Sequence, residues 1–140
     1  MEEFLKAVVD KWKEDANAAA RGLCDTDYDD LYFGLAPRDA VRPYVAYILR
    51  DTIGLRTNTT YYDQPDVQFN VFVGEDQLQT GIQIRDRLIL TYDKSSYTLQ
   101  EDVSGNTKRV VTFQQDLAGV PIDDPDDGYM IPIIFKTVVG

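Results

Sequence analysis

The feature that most constrains this chain is a change of hydrophobic period between Asp66 and Tyr92. Val67, Phe69, Val71 and Val73 fall on one face of an alternating run. Asp66, Gln68 and Asn70 fall on the other, with Phe72 as the exception. A period of two is that of a half-buried strand. Gly74 breaks the run, and Glu75 and Asp76 follow where a helix N-terminus favours negative charge. From Leu78 the apolar residues take helical spacing, and Gly81, Ile82, Leu88, Ile89 and Tyr92 share one broad stripe. A helix is expected over 75–93. A strand feeding a helix, with more strands on either side, predicts an α+β domain: a mainly antiparallel sheet with two amphipathic helices packed on it.

A chain of 140 residues is expected to form one domain, 1–140, with a real core. No apolar run approaches the roughly 20 residues that span a bilayer, so no membrane partner is expected. Glu2 and Glu3 stand where a signal peptide carries positive charge, which points to a cytoplasmic protein. A single cysteine, Cys24, cannot form an internal disulfide and agrees with a reducing compartment. The formal charge of −10 argues against wrapping nucleic acid, because duplex binding draws most of its affinity from Lys and Arg on phosphates. It suits solubility, or a surface that meets DNA without holding it.

The other elements follow in chain order. Leu5, Val8, Val9, Trp12, Ala16, Ala19, Ala20 and Leu23 recur on one helical face, so residues 1–23 are expected to be a helix with Trp12 in the core. Cys24 to Asp30 is an acidic connector, with a cation site as its functional alternative. Leu31 to Leu35 is expected as a short edge strand. Strands are expected over 43–73, with Pro43 opening one at Tyr44, a turn at Ile53 to Asn58, a return through Thr59 to Tyr62, and a bend at Asp63 to Pro65. Strands are again expected over 97–139. Tyr97 to Val103 and Lys108 to Gln115 flank a turn at Ser104-Gly105-Asn106. Gly119 to Gly128 is an aspartate-rich loop before a last strand, Tyr129 to Val139. That strand carries Tyr129, Ile131, Ile133 and Phe135 on one face and Met130, Pro132, Ile134 and Val138 on the other. Pro132 suggests an edge strand, or a place that needs no N–H. An edge strand apolar on both faces needs cover, so Met130, Pro132, Ile134 and Val138 are candidate subunit contacts.

The chain has no histidine, which removes Ser-His-Asp and Cys-His catalysis and His-ligated zinc. One cysteine makes neither a structural zinc site nor a dithiol redox motif. Neither glycine-rich phosphate motif occurs. Paired carboxylates leave two routes to an enzyme, glycosidase-like and Mg²⁺-assisted work. Asp123, Asp124, Asp126 and Asp127 precede Gly128 in the manner of a calcium loop, but Pro125 stands at the third ligand position and Ile134 at the twelfth, which excludes an EF-hand. No cofactor, no metal and no catalysis are expected.

Taken together, Leu31-Tyr32, Pro43-Tyr44-Val45, Val67 to Val73, the Leu78 to Tyr92 helix and Asp127-Gly128-Tyr129 entering the last strand resemble the tail-terminator, or tail-completion, proteins of long-tailed bacteriophages. The resemblance is one of pattern and covers most of the chain. It implies a non-enzymatic virion protein that assembles as a ring, usually a hexamer, at the head-proximal end of the tail. Its implied partners are further copies of itself, the tail-tube protein and the head–tail connector. DNA would pass through without specific binding, and assembly would take place in the host cytoplasm. In such a ring the acidic loop, Asp123, Asp124, Asp126 and Asp127, is a candidate lumen-facing element. Two neighbouring readings are another head–tail connector or a tube subunit. A third is an acidic inhibitor or immunity-type protein that masks a basic partner.

Overall fold

The protein was analysed as a computed structural model, which describes residues 2–13, 23–24, 31–36, 40–50, 66–93, 96–100, 108–123 and 128–139. Two helices, α1 (Glu2–Lys13) and α2 (Leu78–Tyr92), accompany seven strands among these residues. The strands are β1 (Tyr32–Phe33), β2 (Tyr44–Arg50), β3 (Asp66–Val73), β4 (Ser96–Gln100), β5 (Lys108–Ala118), β6 (Ile122–Asp123) and β7 (Tyr129–Val139). They form one sheet in the order β1-β2-β3-β7-β5-β4. β6 continues beside β7 beyond the end of β5. All pairings are antiparallel except that of β1 with β2. The expected α+β class, a mainly antiparallel sheet carrying two helices, is the fold observed.

β3 is the hub of the core, as its alternation requires. Val67, Phe69, Val71 and Val73 are fully buried against Ile131, Ile133 and Phe135 of β7 and Val45 of β2. α2 covers this face through Gly81, Ile84, Leu88 and Tyr92, spaced three and four apart, while Ile82 and Ile89 flank the contact. Gly81 sets the depth of the helix. A Cβ there would lie 2.8 Å from Val73 Cγ1 and 2.9 Å from Ile131 Cδ1, so only glycine lets the helix seat this closely. α1 adds Val8 and Trp12 to the same apolar cluster, which bears out the core reading of Trp12. Its tie to α2 is polar: the Tyr92 hydroxyl donates to the Val8 carbonyl at 2.9 Å. A phenol buried this deeply needs a partner, and the helix backbone supplies one.

Several expectations are corrected. α2 begins at Leu78 and not at residue 75, because Gly74 to Gln77 closes as a turn. The Gln77 amide donates to the Gly74 carbonyl at 3.0 Å, and the Gly74 amide donates to Gln77 Oε1 at 2.9 Å. Glu75 and Asp76 therefore precede the helix, whose first turn holds no acidic residue. The loop expected over Gly119 to Gly128 contains β6, which pairs Ile122 with Met130 and Asp123 with Tyr129.

The largest correction concerns β7, which is a central strand and not an edge. β3 lies along one side of it, and β5 followed by β6 along the other. Pro132 is tolerated there for a local reason. Its carbonyl accepts from the Gly119 amide at 2.8 Å, so its backbone faces the bend between β5 and β6 and away from β3. In an antiparallel ladder a residue's N and O point to the same neighbour, so the missing N–H falls at the bend and costs β3 nothing.

The expected helical residues 14–22, the strand return at 59–62, the bend at 63–65 and the turns at 53–58 and 104–106 lie outside the described residues. The 2–13 helix, the short β1 at a sheet edge, the β4–β5 pair and the span of β7 agree with expectation.

Candidate functional site

The sheet has a second face, turned away from α2, and it is there that the surface chemistry concentrates. Cross-strand register builds a row across it. Tyr44 pairs with Phe72, Phe72 with Met130, and Met130 with Ile122, so four side chains from β2, β3, β7 and β6 stand side by side. Tyr32 of β1 extends the row, its ring edge-on to Tyr44 at 5.7 Å. The Tyr44 and Phe72 rings stack at 5.0 Å. Tyr32, Tyr44, Phe72 and Met130 are half-buried, and Ile122 is exposed. Five strands at about 4.8 Å spacing make a stripe roughly 19 Å long.

Arg42 lies over the part of the stripe built by β2 and β3. Its guanidinium lies 5.5 Å from the Phe72 ring centre and 5.9 Å from that of Tyr44, within cation–π range. Nη1 also donates to the Val73 carbonyl at 3.2 Å, and the Arg42 carbonyl accepts from Gln77 Nε2 at 3.3 Å. These bonds fix the start of β2 to the turn that opens α2. Asp123, exposed on β6, pairs with Tyr129 and so faces the opposite side of the sheet from Ile122. The stripe is thus a row of apolar and aromatic side chains with one guanidinium over its Tyr44 and Phe72 rings.

The candidate residues read from the sequence divide among these features. Asp123 follows Ile122 on β6 but faces the other side of the sheet, whereas Asp124, Asp126 and Asp127 lie outside the described residues, in the segment that joins Asp123 to Gly128. Met130 is part of the stripe. Pro132 and Ile134, on the same face, are buried in the chain itself. Val138 pairs with Thr112, and its side chain lies outside those described. The stripe as a whole escaped sequence reading. Its signal was Phe72, the one residue to break the alternation of β3.

The far end of this face is charged. Arg50 pairs with Asp66 across β2 and β3, and Lys136 Nζ lies 3.6 Å from the Asp116 carboxylate at a register shift of β5. Burial pushes the Asp66 carboxyl above its ordinary range and the Asp116 charge adds to this, while Lys136 and Arg50 pull the other way. A carboxyl with a raised folded-state value costs stability as pH rises through that value, since ionisation is easier in the unfolded chain. Asp66→Asn is therefore expected to raise the melting midpoint at neutral pH and to flatten its fall between pH 4 and pH 7. With Asp66 partly in water, the gain is about 0.5 kcal/mol or less. Melts across that pH range check it, and a lowered midpoint would show that attraction to Arg50 outweighs burial.

Cys24 is half-buried, and burial pushes its thiol up to about 12, so it is neutral and unreactive at physiological pH. Asp25 to Asp30, the alternative cation site, lie outside the described residues. Among the described residues, no three His, Cys, Asp or Glu side chains come together as metal ligands. No described helix is long and apolar enough to cross a membrane. Comparison with protein-family models, curated proteins and solved structures found no match.

Proposed function

We propose that this chain is a structural virion protein of the phage tail-terminator kind, forming a ring, usually a hexamer in that family, on the head-proximal end of the tail tube. There it stops tube polymerisation and presents a surface to the head–tail connector, with no chemistry of its own. One observation carries the reading: the segments that bear the resemblance become neighbours in a single α+β unit. Tyr32 lies in β1, Tyr44-Val45 open β2, Val67 to Val73 belong to β3, Leu78 to Tyr92 are α2, and Tyr129 opens β7. β1, β2, β3 and β7 are adjacent in the sheet. Ring contacts no longer rest on an exposed β7 edge. They rest on the second sheet face, where Met130 reaches solvent.

The test is removal of the gene from a phage that carries it. Tubes of irregular length and tails that fail to join heads are expected, with both defects repaired when the protein is supplied. Tails of normal length joined to full heads would overturn the proposal. If the particles are normal and the protein is recovered from cells bound to one basic protein, the acidic-inhibitor reading replaces it.

In such a ring the acidic run from Asp123 to Asp127 would make a negative collar at the channel, which repels passing DNA and keeps it from sticking. Changing Asp123, Asp124, Asp126 and Asp127 to asparagine keeps size and removes charge. Particles are expected to assemble but to eject DNA more slowly, with the defect easing at high salt as screening grows. Unchanged ejection rates would assign these charges to solubility.

A further inference from the structure

β6 is tied to the sheet less firmly than any strand of the core, and the cause lies in β7. Ala118 with Ile133 is the last pair of β5 with β7, and Ile122 with Met130 is the first pair of β6. Between them β7 presents Pro132, whose carbonyl accepts from the Gly119 amide and which has no N–H to return. A register shift between Gln115 and Leu117 disrupts the ladder just before this gap. Because the Pro132 backbone faces the bend, Met130, two residues earlier, aims its N–H and C=O at Ile122, while Ile131 aims its own at Val71. The apolar cost of parting β6 from β7 is small, since Val120 is already 70% and Ile122 48% exposed. The bend is also held from α2. Arg85 Nη1 donates to the Gly119 carbonyl at 3.2 Å. Asp86 orients the guanidinium, accepting from Nε at 3.0 Å with Nη2 equally close.

We propose that β6 is a strap that opens from β7 by itself while the rest of the sheet stays folded, and that Arg85 is the latch that keeps it shut. Local opening is governed by the bonds of the opening segment alone, and here they are few. The neighbours of the strap belong to the core and stay closed: Ile131 and Ile133 are fully buried, and both are paired with β3. Opening frees the Met130 N–H and C=O, parts Ile122 from Met130 at the end of the stripe, and moves Asp123. Closure restores all three. Arg85 acts through the Gly119 carbonyl, so it is a positioning residue that sets how often the second sheet face is complete. The strap is a property of the fold and stands whether or not the chain builds a ring.

Hydrogen exchange in the full chain, read amide by amide and corrected for intrinsic rates, tests both parts. Met130 and Ile131 are adjacent probes, one bonded towards β6 and the other towards β3. The Met130 amide is expected to exchange at least about tenfold faster than that of Ile131, because it needs only the strap to open. Arg85→Met keeps the aliphatic stem and removes the donors. It is expected to speed Met130 exchange by about another tenfold, the loss of one bond from a charged donor, with Ile131 exchange and the melting midpoint little changed. Ile122→Pro removes the Ile122 N–H and undoes the strap from its own side. It too should free Met130 and spare Ile131, and adding Arg85→Met to it should change Met130 exchange no further. Met130 and Ile131 exchanging in step would overturn the strap, as would loss of the whole fold in Ile122→Pro. Arg85→Met speeding both amides equally, or neither, would overturn the latch.

Discussion

Replacing Gly128 by alanine is expected to be among the most destabilising single changes in this chain. Gly128 has φ +116°, in the region that only glycine adopts without strain, and a Cβ there would lie 2.0 Å from the Val73 carbonyl oxygen. It would also lie 2.9 Å from Gly74 Cα, so the obstruction is backbone and cannot rotate aside. Strain costs about 1–3 kcal/mol and forced overpacking about as much again, so a loss of about 3–5 kcal/mol is expected. Against a typical total of about 5–15 kcal/mol, that is most of the stability at the lower end of the range. The site is also where β7 begins beside the end of β3, so relief would have to shift the central pair of the sheet. Gly34→Ala is the control. Gly34 has φ +77° with no atom of the described residues within 4 Å of an added Cβ, so it meets strain without collision, and about 1 kcal/mol is expected. Denaturant unfolding of both variants gives the comparison. Equal losses would mean that the start of β7 can move away from Val73 and that only the dihedral matters.

What the sequence disclosed follows a physical line between local and non-local information. The alternation of Val67 to Val73 names the buried face of β3 without reference to any other strand, and the same holds for Ile131, Ile133 and Phe135 in β7. Trp12 could be assigned to the core from helical spacing alone. Which strands lie beside β7 is another matter. Pro132 suggested an edge because a proline in a central ladder normally loses a bond, and only the bend at Gly119, brought alongside by β6, removes that cost. β6 is two residues long, too short for any periodicity to reveal. The α2 start was misplaced because Glu75 and Asp76 have the charge of a first helical turn, while the bonds that close the turn run through the Gln77 side chain and Gly74. The stripe was the least legible feature. Its members come from five strands, and each one alone reads as an ordinary half-buried residue. Phe72 was the single visible clue, an aromatic side chain where alternation called for a polar one.

Phe69→Ala is expected to be the most damaging truncation in the core, at about 3–5 kcal/mol. Phe69 is fully buried on the hub strand, with ring centres of Tyr92 at 4.8 Å, Phe135 at 5.8 Å and Tyr47 at 6.3 Å. It therefore joins α2, β7 and β2 at one point, and its removal opens a cavity that three separate elements would have to close together. Collapse is hindered because Tyr92 is held in place. Its ring also meets Phe113 at 5.5 Å, and its hydroxyl is bonded to Val8 of α1. Phe69→Leu refills most of the space and is expected to cost about 1.5 kcal/mol or less. Near-ultraviolet circular dichroism should change with Phe69→Ala, since the removed ring sits among tyrosines. The comparison also separates stability from surface function. Phe69 and Phe72 lie on opposite faces of one strand, so Phe69→Leu should leave the proposed ring association through the second face unchanged, while Met130→Glu should weaken it at unchanged stability. Were Phe69→Leu to weaken association as strongly as Met130→Glu, the two faces of β3 would be coupled through its backbone, and the stripe could not be treated as a surface laid on an independent core.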